Sequence, residues 1–192
     1  FVSAPNFEAP TDVGANNVYD VQVQVSDGEL TDTQTIAVTV TNQNETPTIT
    51  SNGGGATAAI NVVENSTAVT TVAATDLDAG ATKAFSIIGG VDAGKFTINA
   101  TTGVLAFVSA PNFDAPTDVG ANNVYDVQVQ VSDGALTDTQ TISVTVTNQN
   151  EAPTITSNGS GATAAISVVE NSATVTTVTA SDHDPGTTKT YS

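Results

Sequence analysis

The sequence contains a long direct repeat with an offset of 106 residues. Residues 1–47 return as residues 107–153, and the two copies differ at only four positions. Residues 48–86 return as residues 154–192, with 28 of 39 positions identical. This period is too long for a solenoid repeat but matches one β-sandwich of about 100 residues. We therefore expect residues 48–153 to be one complete unit, residues 1–47 to be the C-terminal half of a preceding unit, and residues 154–192 to be the N-terminal half of a following unit.

Local patterns within the repeat predict strands. Apolar and polar residues alternate from Tyr125 to Val131, as in a strand with one buried and one solvated face. Asp133-Gly134 then begins a turn, and the chain returns with Ile142, Val144 and Val146 facing inward. Together with five earlier strands, this hairpin predicts an all-β fold of tandem seven-stranded Greek-key β-sandwiches. The five strands are expected near Ala58–Val63, Val69–Ala74, Lys83–Ile88, Lys95–Ile98 and Val104–Phe107.

The charge balance excludes several classes of function. The chain has 20 acidic and three basic residues, all lysine, and a formal net charge of −17. Nucleic acids and anionic membranes are bound through Lys and Arg, so neither is expected as a partner. The absence of cysteine removes disulfides, thiolate zinc sites and thiol nucleophiles. No apolar run reaches the ~18 residues of a membrane span, and the acidic surface is compatible with divalent cations.

Carboxylates recur at a few points of this β-rich pattern. Glu64 lies in the segment VVENS, and Asp76 and Asp78 lie in ATDLDAG, just past a predicted strand. Two aspartates separated by one residue in a loop can converge on one calcium ion. Acidic residues are also common in turns, where they bind local backbone groups. We interpret Asp126 and Asp138 as solvating charges, and Asp92 and Asp118 as loop residues.

Five segments, in order, resemble the landmarks of bacterial cadherin-like tandem repeats from large cell-surface adhesins of the RTX, type I-secreted kind. They are Val62–Ser66, Ala74–Gly80, Phe96–Leu105, Pro111–Pro116 and Val144–Pro153. The resemblance covers essentially the whole chain. It implies an extracellular location at the bacterial surface and Ca²⁺ between consecutive units. We also expect the chain to be a window of a longer polypeptide, because it opens at Phe1 without methionine.

The resemblance implies two sets of calcium ligands. The first junction, near Pro47, would use Glu8, Asn42, Asn44, Glu45, Asp76, Asp78 and Asp133. The second junction, near Pro153, would use Glu64, Asp114, Asn148, Asn150, Glu151, Asp182 and Asp184. Asparagine stands at Asn42 and Asn148, where the family often has aspartate. An asparagine offers a carbonyl oxygen without charge, which suggests two ions per junction rather than three.

These features predict a non-enzymatic structural and adhesive region, stiffened by calcium at its junctions. Its partners would be neighbouring repeats, other copies of itself, or surface glycans and proteins. A self-assembling extracellular filament, completed by strand exchange, and a calcium-dependent carbohydrate-binding module remain alternatives. No residues are nominated for catalysis. The lone His183 is replaced by Leu77 in the other copy, so a shared catalytic or metal role is not expected.

Overall fold

The computed structural model describes residues 1–184 and 186–192. Strands dominate these residues, with one short 3-10 helix at Ala93–Lys95. Among the described residues, no helix has the length and apolar character needed to cross a bilayer. In chain order the strands are β1 (Val18–Ser26), β2 (Thr31–Thr39), β3 (Thr48–Ile49), β4 (Thr57–Val63), β5 (Ala68–Thr71), β6 (Ala74–Thr75), β7 (Ala84–Gly89), β8 (Phe96–Ile98), β9 (Val104–Phe107), β10 (Val124–Ser132), β11 (Thr137–Thr147), β12 (Thr154–Ile155) and β13 (Ala180–Ser181).

Strands β3 to β11 form a two-layered sandwich. One layer is a four-stranded sheet in the order β4-β11-β10-β7, in which β11 pairs antiparallel with β10 and parallel with β4. The other layer contains the sheet β5-β9-β8 and the short pair β3-β6. The parallel pairing joins β4, an early strand of the unit, to β11, its last strand. The four-stranded sheet is therefore complete only when the whole repeat is present. The prediction of an all-β sandwich fold is confirmed.

The core follows the alternation that the sequence shows. Burial alternates strictly along β10, where Tyr125, Val127, Val129 and Val131 are buried and the residues between them are partly exposed. The Tyr125 ring packs edge-on against Phe107, with ring centroids 5.2 Å apart. The Tyr125 hydroxyl accepts a hydrogen bond from a backbone amide, so this buried polar group is satisfied.

The strand predicted over residues 69–74 is divided in the structure. The amide of Val72 donates to the carbonyl of Gly103 at 2.8 Å, while the carbonyl of Ala73 accepts from the amide of Thr50 at 2.9 Å. The backbone therefore changes partner here, from β9 to β3. Gly103 has φ +71, and a Cβ at this position would lie 2.0 Å from the Val72 carbonyl oxygen. Only glycine fits this close approach.

The two end segments repeat parts of the complete unit. The hairpin β1-β2 has the register of β10-β11, and β12-β13 has the register of β3-β6. Their apolar faces are open, however. Val23 is 44% exposed, whereas its copy Val129 is 0% exposed, and Ile155 is 53% exposed against 1% for Ile49. The end segments have the local pairing of the repeat without the second layer that buries it.

Asp138 has a structural role that the sequence analysis did not predict. Its Oδ2 accepts a hydrogen bond from the buried amide of Ile49 at 2.8 Å, and so anchors β3 to β11. The interpretation of Asp138 as a solvating charge is therefore wrong, because its hydrogen-bond partner lies 89 residues away. Asp92 and Asp118 do lie in loops, where each is buried and accepts backbone N–H groups.

Candidate metal centres

The first junction gathers carboxylates from three segments of the chain. Glu8 precedes β1, Glu45 lies in the linker between β2 and β3, and Asp78 follows β6. One ligand atom from each of these residues lies within 4.8 Å of the others. Asp76 is next to this group, and its Oδ1 accepts the amide of Asp78 at 3.0 Å. Residues predicted from three separate motifs therefore converge at one place.

Hydrogen bonds hold the linker of the first junction against the following unit. Asn42 Nδ2 donates to Asp78 Oδ1 at 2.6 Å, and the amide of Glu45 donates to Asp78 Oδ2 at 2.9 Å. Asn44 Nδ2 donates to Asp133 Oδ2 at 2.7 Å. These contacts connect the linker to two loops of the complete unit.

Asp133 has two roles. Its Oδ1 caps its own turn by accepting the amides of Ala135 and Leu136, each at 2.7 Å, while its other oxygen accepts from Asn44. The backbone bonds from Leu136 and Ala135, followed by the Asn44 side chain, lower the pKa of Asp133. The Asp133 carboxylate is therefore charged and held in position by protein groups alone.

The second junction repeats the same arrangement with other residues. Ligand atoms of Glu64, Asp114 and Glu151 lie within 4.8 Å of one another. Asn148 Nδ2 donates to Asp184 Oδ1 at 2.7 Å, and the amide of Glu151 donates to Asp184 Oδ2, also at 2.7 Å. The Asn148 side chain, and then the Glu151 amide, lower the pKa of Asp184.

Asp182 and Asn150 complete the predicted set at the second junction. Asp182 Oδ1 accepts the amide of Asp184 at 3.1 Å, as Asp76 does for Asp78. Asn150 Nδ2 donates to the carbonyl of the adjacent Glu151 at 3.1 Å. Among the described contacts, this is the hydrogen bond that the Asn150 side chain makes. Asn44, in contrast, also donates to a carboxylate, that of Asp133.

Glu64 lies deepest in the second junction and is only 2% exposed. Its Oε1 accepts the amide of Gln149 at 2.9 Å, and its Oε2 accepts the amide of Phe113 at 2.8 Å. The sequence analysis did not identify the next residue, Asn65, whose Nδ2 donates to Glu151 Oε1 at 3.3 Å. Asn65 has φ +62, a conformation in which asparagine is enriched. Its repetition as Asn171 in a second VVENS motif was the available signal.

The electrostatics of both junctions favour a bound cation. Loss of contact with water, followed by repulsion from Glu8, Asp78 and Asp76, raises the pKa of Glu45. Loss of contact with water, followed by repulsion from Glu64, likewise raises the pKa values of Asp114 and Glu151. These shifts reflect carboxylates that lose contact with water and also lie close to one another.

Several buried carboxylate oxygens lack a hydrogen-bond partner. They are Glu8 Oε1, Glu45 Oε2 and Asp76 Oδ2 at the first junction, and Asp114 Oδ2 and Glu151 Oε2 at the second. Buried polar atoms are normally satisfied, so each of these oxygens requires an explanation. Calcium takes 6–8 oxygen ligands in irregular geometry. The residues present fit that ion in donor type, in charge and in their convergence.

The family comparison accounts for most of the complete unit. Residues 58–147 match the family model for the cadherin domain, just under half of the 192-residue chain. Residues 58–147 are therefore similar to a cadherin domain. None of the curated proteins matches the chain.

Solved structures of cadherins resemble the chain over most of its length. Protocadherin gammaB7 EC3-6, in a cis-dimer structure, is 23% identical with a TM-score of 0.57, covering 88% of this chain and 44% of that one. Human CDH23 EC21-23 is 16% identical with a TM-score of 0.59, covering 88% and 55%. Human protocadherin-24 EC1-2 is 18% identical with a TM-score of 0.55, covering 78% and 71%. At these identities the likeness shows the cadherin fold, and the chain spans less than half of the protocadherin gammaB7 structure.

Proposed function

We propose that the chain is a structural and adhesive repeat region of a large extracellular surface protein of the bacterial adhesin type. Calcium ions at the two junctions make consecutive cadherin-like repeats rigid with respect to one another. The units are residues 1–47, 48–153 and 154–192, as the repeat period predicts. The function is mechanical: the strands carry load, and the ions set the extension and stability of the array.

One observation carries this proposal. At each junction, buried carboxylate oxygens without partners come from the preceding unit and from the linker, close to the DxD aspartates of the following unit. An ion bound to all three segments would bridge two domains and their connection. Because binding requires that geometry, its free energy would stabilise the joined arrangement over a splayed one.

The residues that would hold the ions differ slightly between the junctions. At the first they are Glu8, Glu45, Asp76, Asp78 and Asp133, with the amide groups of Asn42 and Asn44 beside them. At the second they are Glu64, Asp114, Glu151, Asp182 and Asp184, with Asn148 and Asn150. A calcium ion supplies positive charge that offsets the mutual repulsion of these carboxylates.

The test is a calcium titration of the 192-residue chain that follows melting temperature and maximum dimension by X-ray scattering. Both should increase with calcium, and chelator should reverse both changes. The matched variant Glu45→Gln, Asp76→Asn should weaken the response at the first junction and leave the second junction responsive. A melting temperature and maximum dimension that are indifferent to calcium would contradict the proposal.

A self-assembling filament is a second candidate, favoured by the open faces of the end segments. Val25 in β1 is 67% exposed, whereas its copy Val131 is 0% exposed because the second layer covers it. Another molecule could cover the same face. Sedimentation velocity over a range of concentrations tests this, with Val23→Glu as the variant that should abolish association. A sedimentation coefficient independent of concentration would contradict it.

The positions of the carboxylates do not favour a carbohydrate-binding module. It needs an ion with open coordination on the surface of a single domain. Among the described residues, both groups of three carboxylates lie instead at the junctions.

A further inference from the structure

We infer that Glu64 and Asn65 form a clamp that holds the linker of the second junction against the loop before Asp114 without metal, and so positions Asp114 and Glu151 in advance. The clamp itself is a set of hydrogen bonds in the protein. That the positioned carboxylates bind calcium rests on the proposed function. Glu64 therefore has a role in addition to that of a candidate ligand, and Asn65 is a positioning residue.

Glu64 connects two segments that each carry a candidate ligand. Its Oε2 accepts the amide of Phe113, directly before Asp114, and its Oε1 accepts the amide of Gln149, two residues before Glu151. These bonds from N–H groups to a carboxylate are charge-assisted, and such bonds are about twice as strong as those between neutral groups. Glu64 is 2% exposed, so water competes little for its oxygens.

Asn65 adds two contacts to the same segments. Its amide donates to the carbonyl of Pro111 at 2.9 Å, and its Nδ2 donates to Glu151 Oε1 at 3.3 Å. The positive φ of Asn65 turns the chain at the end of β4, so that backbone and side chain reach both segments. The Glu64-Asn65 pair thus fixes the loop before Asp114 and the linker around Glu151.

The distribution of satisfied oxygens separates positioning from ion binding. Both oxygens of Glu64 have protein donors, whereas Asp114 Oδ2 and Glu151 Oε2 are buried without a partner. A carboxylate oxygen that accepts one hydrogen bond retains a lone pair for a cation, so the two roles are compatible.

The repeat supplies an internal control. Gln43 is the copy of Gln149 in the first linker, within the same TNQNE sequence. Among the described contacts, the Gln43 amide donates to no carboxylate, whereas the Gln149 amide donates to Glu64 Oε1. The two linkers differ in the clamp while sharing their local sequence.

The experiment is amide hydrogen exchange by NMR on the 192-residue chain in chelator. We expect the amides of Gln149 and Phe113 to be protected and the amide of Gln43 to exchange freely. Glu64→Ala should bring Gln149 to the exchange rate of Gln43, and Glu64→Gln should retain part of the protection. Equal exchange of Gln149 and Gln43 in the unmodified chain would overturn the inference, and this comparison needs no variant to fold.

Asn65→Gly tests the second member of the clamp. Glycine tolerates the positive φ and keeps the backbone bond to Pro111, so only the contact with Glu151 is lost. Calcium affinity at the second junction should fall about 10-fold while the first junction is unchanged. If the variant and the unmodified chain bind calcium at the second junction with equal affinity, Asn65 is not part of the clamp. If calcium binds neither junction while Gln149 stays protected, the proposed function fails and the Glu64 clamp stands.

Discussion

Asn148 Nδ2 lies 2.7 Å from Asp184 Oδ1, and 106 residues earlier Asn42 Nδ2 lies 2.6 Å from Asp78 Oδ1. The sequence analysis predicted these asparagines as ligands that offer a carbonyl oxygen without charge. In the structure, each presents its amide nitrogen to an aspartate instead. A neutral donor therefore stabilises the charge of that aspartate, and the junction carries one carboxylate fewer than it would with aspartate in place of the asparagine.

Replacing Asn148 by aspartate should make the second junction more dependent on calcium. In chelator, the variant loses a hydrogen bond to a charged group and gains a repulsion between two carboxylates, so the free energy of unfolding should fall. In calcium, the added carboxylate should raise the affinity of the junction. Urea unfolding in chelator and calorimetric titration measure the two effects.

Asn150→Asp is the matched control for this prediction. Asn150 donates only to the carbonyl of the adjacent Glu151 among the described contacts, so the change should alter unfolding in chelator by less than about 0.5 kcal/mol. If Asn148→Asp is as stable in chelator as the unmodified chain, the hydrogen bond to Asp184 has no energetic role.

The raised pKa values predict how stability depends on pH in chelator. Glu45 and Glu151 have folded-state pKa values above the ordinary 4.5, so the folded chain binds more protons than the unfolded chain just above that pH. Their contribution is fully present below pH 4.5 and is lost as pH rises through the folded pKa values. The pKa values of Asp133 and Asp184 are lowered from the ordinary 3.8. Their contribution to stability is therefore fully present above pH 3.8 and is lost as the pH falls through the folded-state pKa values.

The free energy of unfolding in chelator should therefore decrease as pH rises from about 4.5 toward neutrality. Calcium binds deprotonated carboxylates, so the stabilisation by calcium should grow over the same range. Urea unfolding at several pH values, with and without calcium, gives both slopes. Glu151→Gln should flatten the decrease in chelator, and a variant that retains the full decrease would show that Glu151 is not its source.

The fold could be predicted from the sequence where apolar and polar residues alternate along a strand. In β10 the residues Tyr125, Val127, Val129 and Val131 alternate with polar ones, so the hydrophobic effect fixes the inner face directly. Strand β3 has only two residues and carries no such pattern. Its position depends on the Asp138 carboxylate and on the change of partner at Val72, and both are tertiary contacts.

The candidate site could be predicted as a set of residues but not as a set of contacts. Motif order and family resemblance identified Glu64, Asp133 and Asp184, and the structure places each at a junction. The motifs did not indicate that Glu64 would accept two backbone amides, or that Asp133 would cap its turn while accepting from Asn44. Such bonds depend on which segments the fold brings together.

The two copies of the hairpin allow a direct measurement of what the second layer contributes. Val129 is 0% exposed and Val23 is 44% exposed, although their local sequences are the same. Val129→Ala should lower the free energy of unfolding by about 2–3 kcal/mol, through lost burial and the cavity left behind. Val23→Ala should cost less than half of that. Equal costs in urea unfolding would show that another molecule covers the first hairpin.

Asp138 anchors β3, so its replacement should detach that strand. Asp138→Ala leaves the buried amide of Ile49 without its acceptor, which should cost about 1.5–3 kcal/mol in urea unfolding. Asp138→Asn keeps an acceptor oxygen and should restore part of the loss. Asp32 is the copy of Asp138 in β2 and accepts only from the adjacent Thr33 amide among the described contacts, so Asp32→Ala should cost less than about 0.5 kcal/mol. Similar costs for Asp138→Ala and Asp32→Ala would mean that Asp138 is only a surface charge. The predicted difference would instead show that an acidic residue with identical neighbours becomes structural only when a complete repeat surrounds it.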